Sequence, residues 1–231
     1  MTAKVVLTRP ENSSRQVLAA CEAAFGKAVM AEFSPILRII PVGAWPDLTA
    51  FQAVLLSSAH GVQGRLDGLR AYCVGNRTAM AAEGAGAKVV MIARDADHLP
   101  DDIPERPMVY LRGAHVSTDL ATRYGCSEKI VYDQHSIPLT KAALNVLTGE
   151  KHVILPLFSS RSARLIAKEV AQLGQRVHII AMSAAIAEAW GTVYTGPMPD
   201  PSVEICAEPI QIEMVGRIVA SLQSLSGGKT G

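Results

Sequence analysis

Two stretches of the 231-residue chain, Phe33–Pro41 (FSPILRIIP) and Lys129–Pro138 (KIVYDQHSIP), set its organisation. Both are extended in character and rich in β-branched residues, and both end in Ile-Pro. Proline cannot donate to a β-ladder, so it suits an edge strand or a linker and not a central strand. The two stretches read as crossings between two bodies. Two crossings require a discontinuous arrangement, with one lobe inserted into the other.

Apolar runs and amphipathic stretches alternate around these crossings. Val5–Pro10 (VVLTRP) reads as a buried strand running into a turn. A helix from Asn12 to Phe25 follows, with Asn12 or Ser13 as its cap and Gly26 after its end. Ala53–Ser58, Ala71–Gly75, Lys88–Ala93, Met108–Gly113, Lys129–Gln134, His152–Phe158 and Arg176–Met182 read as further strands. A weak, Gly-interrupted helix is expected over Ala59–Arg70, and better ones over Asn76–Gly86 and Ser159–Gly174. A last helix is expected from about Val203 to Leu225, which Pro209 must start, kink or split. Continuous apolar strands between helices mean parallel sheets covered on both faces. An approximate repeat runs through this order. Arg9 and Arg112, Ser58 and Ser159, and Thr78 and Ala184 stand in similar contexts at a separation of about 100 residues, suggesting two related halves.

Hydrophobic residues make up 49% of the chain and charged residues 19%, enough apolar surface for a sizeable core. With 22 basic and 21 acidic residues the net charge is +1, which argues against a nucleic-acid binder relying on a broad basic field. Aromatics at 5% make a base-stacking platform unexpected. The four cysteines form no CxxC and the six histidines no HxxxH or HxH, so no metal site is expected. Buried free thiols in a reducing cytoplasm are the expectation. The N-terminus reaches a polar turn too soon for a signal peptide, and no apolar run approaches the ~20 residues of a membrane span.

Six strand ends carry small polar residues or arginine at a helix start: Arg9-Pro10, Ser57-Ser58, Gly75-Asn76-Arg77-Thr78, Arg112-Gly113, Ser159-Ser160 and Met182-Ser183. In a parallel sheet the carboxyl ends of the strands form the ligand edge, where helix starts offer N–H groups and favour negative charge. Each serine alone reads more readily as a helix cap. Six together point to a cradle for a polyanion that needs no formal positive charge. Tyr132, in the second crossing, can donate a proton if it faces a cleft, or serve as an interfacial aromatic. His60, His115 and His135 fall near predicted loops and are read as solvated. Gly84-Ala85-Gly86 closes a helix, the wrong context for a dinucleotide fingerprint, and no GxxxxGK[ST] is present. No cofactor is expected.

Read together, TRP (8–10), SPILRIIP (34–41), VLLSSAHGV (54–62), YCVGNRTA (72–79), YLRG (110–113), IVYDQ (130–134), ILPLFSSRSA (154–163) and PDPS before a final helix (199–202) carry a resemblance. In order and spacing, over nearly the whole chain, the sequence resembles the uroporphyrinogen-III synthase family. The resemblance implies an α/β protein of two lobes, each with a parallel sheet flanked by helices, joined by a two-stranded connector. One lobe would hold about 1–36 and 137–231, the other 37–136. It implies a cofactor-independent lyase that cyclises hydroxymethylbilane, a linear tetrapyrrole with eight carboxylates. The terminal hydroxyl would be lost and ring D inverted through a spiro intermediate. Tyr132 would help the hydroxyl depart, and Arg9, Ser58, Gly75, Thr78, Arg112, Ser159, Ser160 and Ser183 would hold substrate. One turn departs from the family: Ala181-Met182-Ser183-Ala184-Ala185 lacks a glycine and a threonine usual there. A cytoplasmic monomer is expected, in transient contact with hydroxymethylbilane synthase. The competing reading is a non-catalytic two-lobed binding protein for a small polyanion, which would need the cradle but not Tyr132.

Overall fold

The computed structural model describes residues 3–116, 118–198 and 203–227, so the PDPS stretch at 199–202 lies outside it. In chain order the strands are β1 (Lys4–Leu7), β2 (Ala31–Phe33), β3 (Leu37–Pro41), β4 (Ala53–Leu56), β5 (Arg70–Val74), β6 (Lys88–Ala93), β7 (Met108–Gly113), β8 (Ser127–Ser136), β9 (Val153–Leu157), β10 (Val177–Ala181) and β11 (Glu204–Ile205). The helices are α1 (Glu11–Phe25), α2 (Asn76–Gly84), α3 (Leu120–Tyr124), α4 (Lys141–Thr148), α5 (Ser160–Glu169), α6 (Ala184–Gly191) and α7 (Gln211–Gly227).

The chain divides into two compact units, Met1–Arg38 with Ser136–Gly231, and Ile39–His135. It passes from one to the other within β3 and returns at the end of β8, and these two strands are sheet neighbours. The first unit holds a sheet of order β11-β10-β9-β1-β2, parallel throughout. The second holds the order β3-β8-β7-β4-β5-β6, in which β4 to β8 are mutually parallel and β3 makes the sheet mixed.

The central strands AVLL (β4) and VILPL (β9) are buried at every residue, as covering on both faces requires. Each unit has apolar clusters on both sides of its sheet. Those of the first unit gather around Leu147, Ile166 and Trp190 on one side and Val17, Met214 and Ile218 on the other. Those of the second gather around Leu66 and Val109, and around Ile103 and Tyr110.

The internal repeat takes an unexpected form. The segments matched in sequence are β1 with β7, β4 with β9, and β5 with β10. Each pair has one member in each unit. Placed on these matches, β10-β9-β1 of one sheet lies over β5-β4-β7 of the other. The two sheets share one spatial order with the chain entering at different points.

Several local expectations are corrected. Helix α1 starts on Pro10 as its cap, without a side-chain cap bond, and neither Asn12 nor Ser13 caps it. Ser14 Oγ instead donates to the Arg9 carbonyl at 2.9 Å. The helix expected over 59–70 is only a three-residue 3-10 turn at Ala59–Gly61. A Cβ on Gly61 would meet the Leu111 carbonyl oxygen at 2.8 Å, and one on Gly64 the Trp45 ring at 2.7 Å. These close approaches hold the segment against its neighbours. Helix α5 ends at Glu169, short of Gly174. Pro209 splits the C-terminal segment, with β11 before it and α7 from Gln211 after it.

Candidate functional site

In an open parallel sheet a crevice forms outside the carboxyl ends of two neighbouring strands whose connections run to opposite sides. In the first unit this point lies between β1 and β9. The β1–β9 register ends at Val5↔Ile154. Two residues on, Pro156 presents its missing N–H to the same side as Ile154, because backbone groups alternate along a strand. A proline is tolerated in this central strand because the ladder with β1 has already ended. Beyond it come Phe158, Ser159 and Ser160 from β9 and Arg9 from β1. The Arg9 guanidinium lies 4.5 Å over the Phe158 ring, and its Nη1 donates to Gln211 Oε1 at 3.4 Å.

The structure therefore brings Arg9, Ser159, Ser160 and Ser183 to one edge of one sheet. Their hydroxyls are not equally available. Ser159 caps α5, accepting from the Ser162 N–H at 3.2 Å and donating to Ser162 Oγ at 2.8 Å. Ser160 Oγ donates weakly to the Ala185 carbonyl at 3.4 Å. Ser183 occupies the cap of α6 without a side-chain cap bond. Ala184 and Ala185, the next two residues of that turn, add no hydroxyl.

In the second unit the equivalent point lies between β4 and β7. Ser57 Oγ and Tyr110 Oη bridge it at 2.6 Å. A cavity of about 340 Å³ opens there, lined among others by Ser57, Ser58, Tyr110, His115 and Tyr132. Ser58 caps the 3-10 turn, accepting from the His60 N–H at 3.2 Å. Gly75 caps α2 with φ +79°, a conformation that suits glycine. Its N–H donates to the Ala93 carbonyl at 2.8 Å. Thr78 is buried in the first turn of α2.

Arg112 is also committed elsewhere. Its Nε and Nη2 form a two-pronged pair with Glu128 at 2.8 and 2.7 Å, and Nη1 donates to the Gly113 carbonyl at 2.8 Å. The pairing with Glu128 holds the Arg112 guanidinium above its ordinary pKa and the Glu128 carboxyl below its own. The side chain clamps β7 to β8 and has little left for a ligand.

Tyr132 is 5% exposed, and its hydroxyl makes no hydrogen bond to any described residue. The His60 ring meets its ring edge-on, with centroids 5.7 Å apart at 61°. His60 was expected to be solvated; burial, and then the charge of Arg77, pushes its pKa down, so it is neutral near pH 7. His115 and His135 both face Asp133, at 3.6 and 3.1 Å, and both are largely exposed as expected. The backbone N–H of Gln134, followed by the two imidazoles, lowers the Asp133 carboxyl. At the cavity lip Asp95 is held down to about 2, first by its bond to His98 and then by Arg94.

Larger concavities of 760, 670 and 520 Å³ lie elsewhere, around Arg176 and His152. These residues precede β10 and β9, so the concavities sit at the amino edge of the first sheet, away from the helix starts that follow its strands. The chemistry favours the smaller cavity. Among the described residues no group of three or more His, Cys, Asp or Glu is placed to hold a metal ion, and no helix is long and apolar enough to cross a membrane. Sequence reading named Gly113 as part of a strand end and took His60 as solvated, but not the approach of either to Tyr132, since neither position carries a local signal for its distant neighbour.

Residues 17–191, about three quarters of the chain, match the family model described as Uroporphyrinogen-III synthase HemD. The structure is similar to the crystal structure of a uroporphyrinogen-III synthetase from Helicobacter pylori, with TM-score 0.66 and 16% identity over 96% of this chain and 100% of that one. A mutant uroporphyrinogen III synthase from Thermus thermophilus aligns over 96% of this chain and 100% of its own, with TM-score 0.48 and 13% identity. A search of curated protein sequences finds no match.

Proposed function

We infer the roles of these residues from one premise: the chain belongs to the uroporphyrinogen-III synthase family, cyclising lyases that need no cofactor. The reaction converts hydroxymethylbilane to uroporphyrinogen III with loss of water and inversion of ring D. Its first intermediate is reactive and can close without inversion, so the protein must orient more than activate.

Tyr132 is the general acid. The observation that carries this is a phenol whose hydroxyl has no hydrogen-bond partner among the described residues, lining a cavity at the crevice of the second sheet. Its Oη–H protonates the terminal hydroxyl as the C–O bond breaks and water leaves. The lone pair of the adjacent pyrrole nitrogen fills the vacancy on carbon. Ring D attacks that carbon through the α-carbon that already bears the methylene bridge from ring C, giving a spiro intermediate. The bridge bond then breaks as the ring C nitrogen lone pair fills the vacancy on the methylene. The free α-carbon of ring D closes on that methylene and loses its proton, so ring D is inverted and the acid is restored overall. Ser58 and Thr78 with the first turn of α2, and Arg9, Ser159, Ser160 and Ser183 in the other unit, hold the substrate carboxylates. Gly75 and Arg112 serve by shaping the backbone around them.

The test is turnover of hydroxymethylbilane with separation of the type I and type III products. Tyr132→Phe keeps the ring and should fold, yet lose about 100-fold in rate, the lower end of general-acid assistance. The isomer ratio should shift less than the rate, since many contacts share the steering. Parent rate in Tyr132→Phe would make the tyrosine structural. A folded parent protein that binds hydroxymethylbilane without forming the type III isomer would favour the binding-protein reading.

The enzyme is proposed to act as a cytoplasmic monomer, with transient contact to hydroxymethylbilane synthase. Four free cysteines, three of them buried, suit a reducing compartment. Light scattering with and without that synthase tests the assembly.

A further inference from the structure

A β-bulge interrupts the β7–β8 pairing beside Tyr132. Arg112 pairs with Ile130, but Gly113 pairs with Tyr132, so Val131 is the extra residue. A bulge breaks the alternation of a strand and re-aims the side chain that follows it. Val131 and Tyr132 are both buried in consequence, at 4% and 5% exposure, although neighbours in a regular strand face opposite ways.

The phenol then lies on the backbone of Gly113. A Cβ added there would stand 2.6 Å from Tyr132 Cζ, 2.7 Å from Cε2 and 2.9 Å from Oη. Ordinary contact begins about 3.4 Å away, so any side chain at 113 must displace the ring. Gly113 has no positive φ, so the glycine is required by close approach and not by backbone conformation. The Arg112–Glu128 clamp flanks the bulge, and the Ala114 N–H donates to the Tyr132 carbonyl at 2.9 Å just beyond it. The edge of His60 closes another side of the ring.

We propose that Gly113 is a positioning residue for the reaction: with the bulge and the Arg112–Glu128 clamp it forms a seat that aims the Tyr132 hydroxyl at the departing group. This rests on the reading of Tyr132 as general acid. A hydroxyl misplaced by about 1 Å can cost two orders of magnitude in rate.

The test is a double-mutant cycle. The rate of hydroxymethylbilane consumption, KM and melting temperature are measured for the parent, Gly113→Ala, Tyr132→Phe and the double variant. Gly113→Ala should lower kcat about 10- to 100-fold with KM within about twofold. In the Tyr132→Phe background it should lower kcat no further, because the hydroxyl it misplaces is already gone. A purely structural role would lower the melting temperature and cut the rate equally in both backgrounds. Should Gly113→Ala not fold, Glu128→Gln opens the clamp instead, and its smaller rate loss should likewise vanish in the Phe background. Additive losses, with Tyr132→Phe itself slow, would overturn the positioning role alone. Tyr132→Phe at parent rate would overturn the general acid and the seat with it. Gly113→Ala at parent rate would overturn the seat and leave the tyrosine standing.

Discussion

Ser159 and Ser183 follow adjacent strands of one sheet and head adjacent helices, but they use their hydroxyls differently. Ser159 is tied to Ser162 by two hydrogen bonds, while Ser183 makes no cap bond. Ser159→Ala should therefore lower stability by about 1 kcal/mol, as loss of a cap does. Ser183→Ala should stay within about 0.5 kcal/mol of the parent. If both hydroxyls hold substrate, both variants should raise KM. Denaturant unfolding and steady-state kinetics on the two proteins separate these effects, and an unchanged KM in Ser183→Ala would remove it from the cradle. The serines were legible in the sequence because a small hydroxyl after an apolar run marks a helix start. Whether each hydroxyl is spent was not, because that depends on a geometry no spacing encodes. The pairing of Arg112 was not legible for the same reason: its partner Glu128 lies on the neighbouring strand, and only the register brings them together. The packing of His60 and Gly113 against Tyr132 was not legible because that residue is distant from both in the chain.

Helix α1 buries Ser13, Ser14, Val17 and Cys21, a stripe one turn apart in its later members, against the first sheet. Strand β5 buries Cys73 in the second. Burial, with smaller help from Glu22 and Glu83, raises both thiols from 9.0 to about 11. The unfolded chain ionises these thiols from pH 9 upward, while the folded chain keeps its protons to about pH 11. Their contribution is full below pH 9 and falls as pH rises through that window, by about 2–3 kcal/mol per thiol. Unfolding measured at pH 8 and pH 10.5 should show the loss, and Cys21→Ala should show a shallower slope between the two. An identical slope in that variant would mean its thiol ionises alike in both states. Strands such as β4 and β9 were legible because unbroken apolar runs leave few alternatives. The shorter β2, β11 and α3 were not, since two to five residues carry no periodicity. The segment after β4 defeated the helix pattern because Gly61 and Gly64 answer to Leu111 and Trp45, contacts set by packing.

The repeat was legible as a spacing of about 100 residues, and the crossings as extended β-branched stretches ending in Ile-Pro. What the spacing could not reveal is that matched strands fall in different units, because sheet order is not written along the chain. Two units that carry separate clusters of buried residues need not unfold together. Leu147 is fully buried in the first unit and Leu66 nearly so in the second. Truncation of either to alanine should cost about 2–5 kcal/mol, through lost apolar transfer and the cavity left behind. The cost should stay in the unit that holds the cavity. Native-state hydrogen exchange read peptide by peptide is the measurement, because it resolves sub-global opening that a single melting curve averages away. Leu147→Ala should strip protection from the slowest amides of β9 and β10 while those of β4 and β5 keep theirs. Leu66→Ala should do the reverse. Equal loss in both sheets from either variant would show one cooperative body, whatever the separation of the cores.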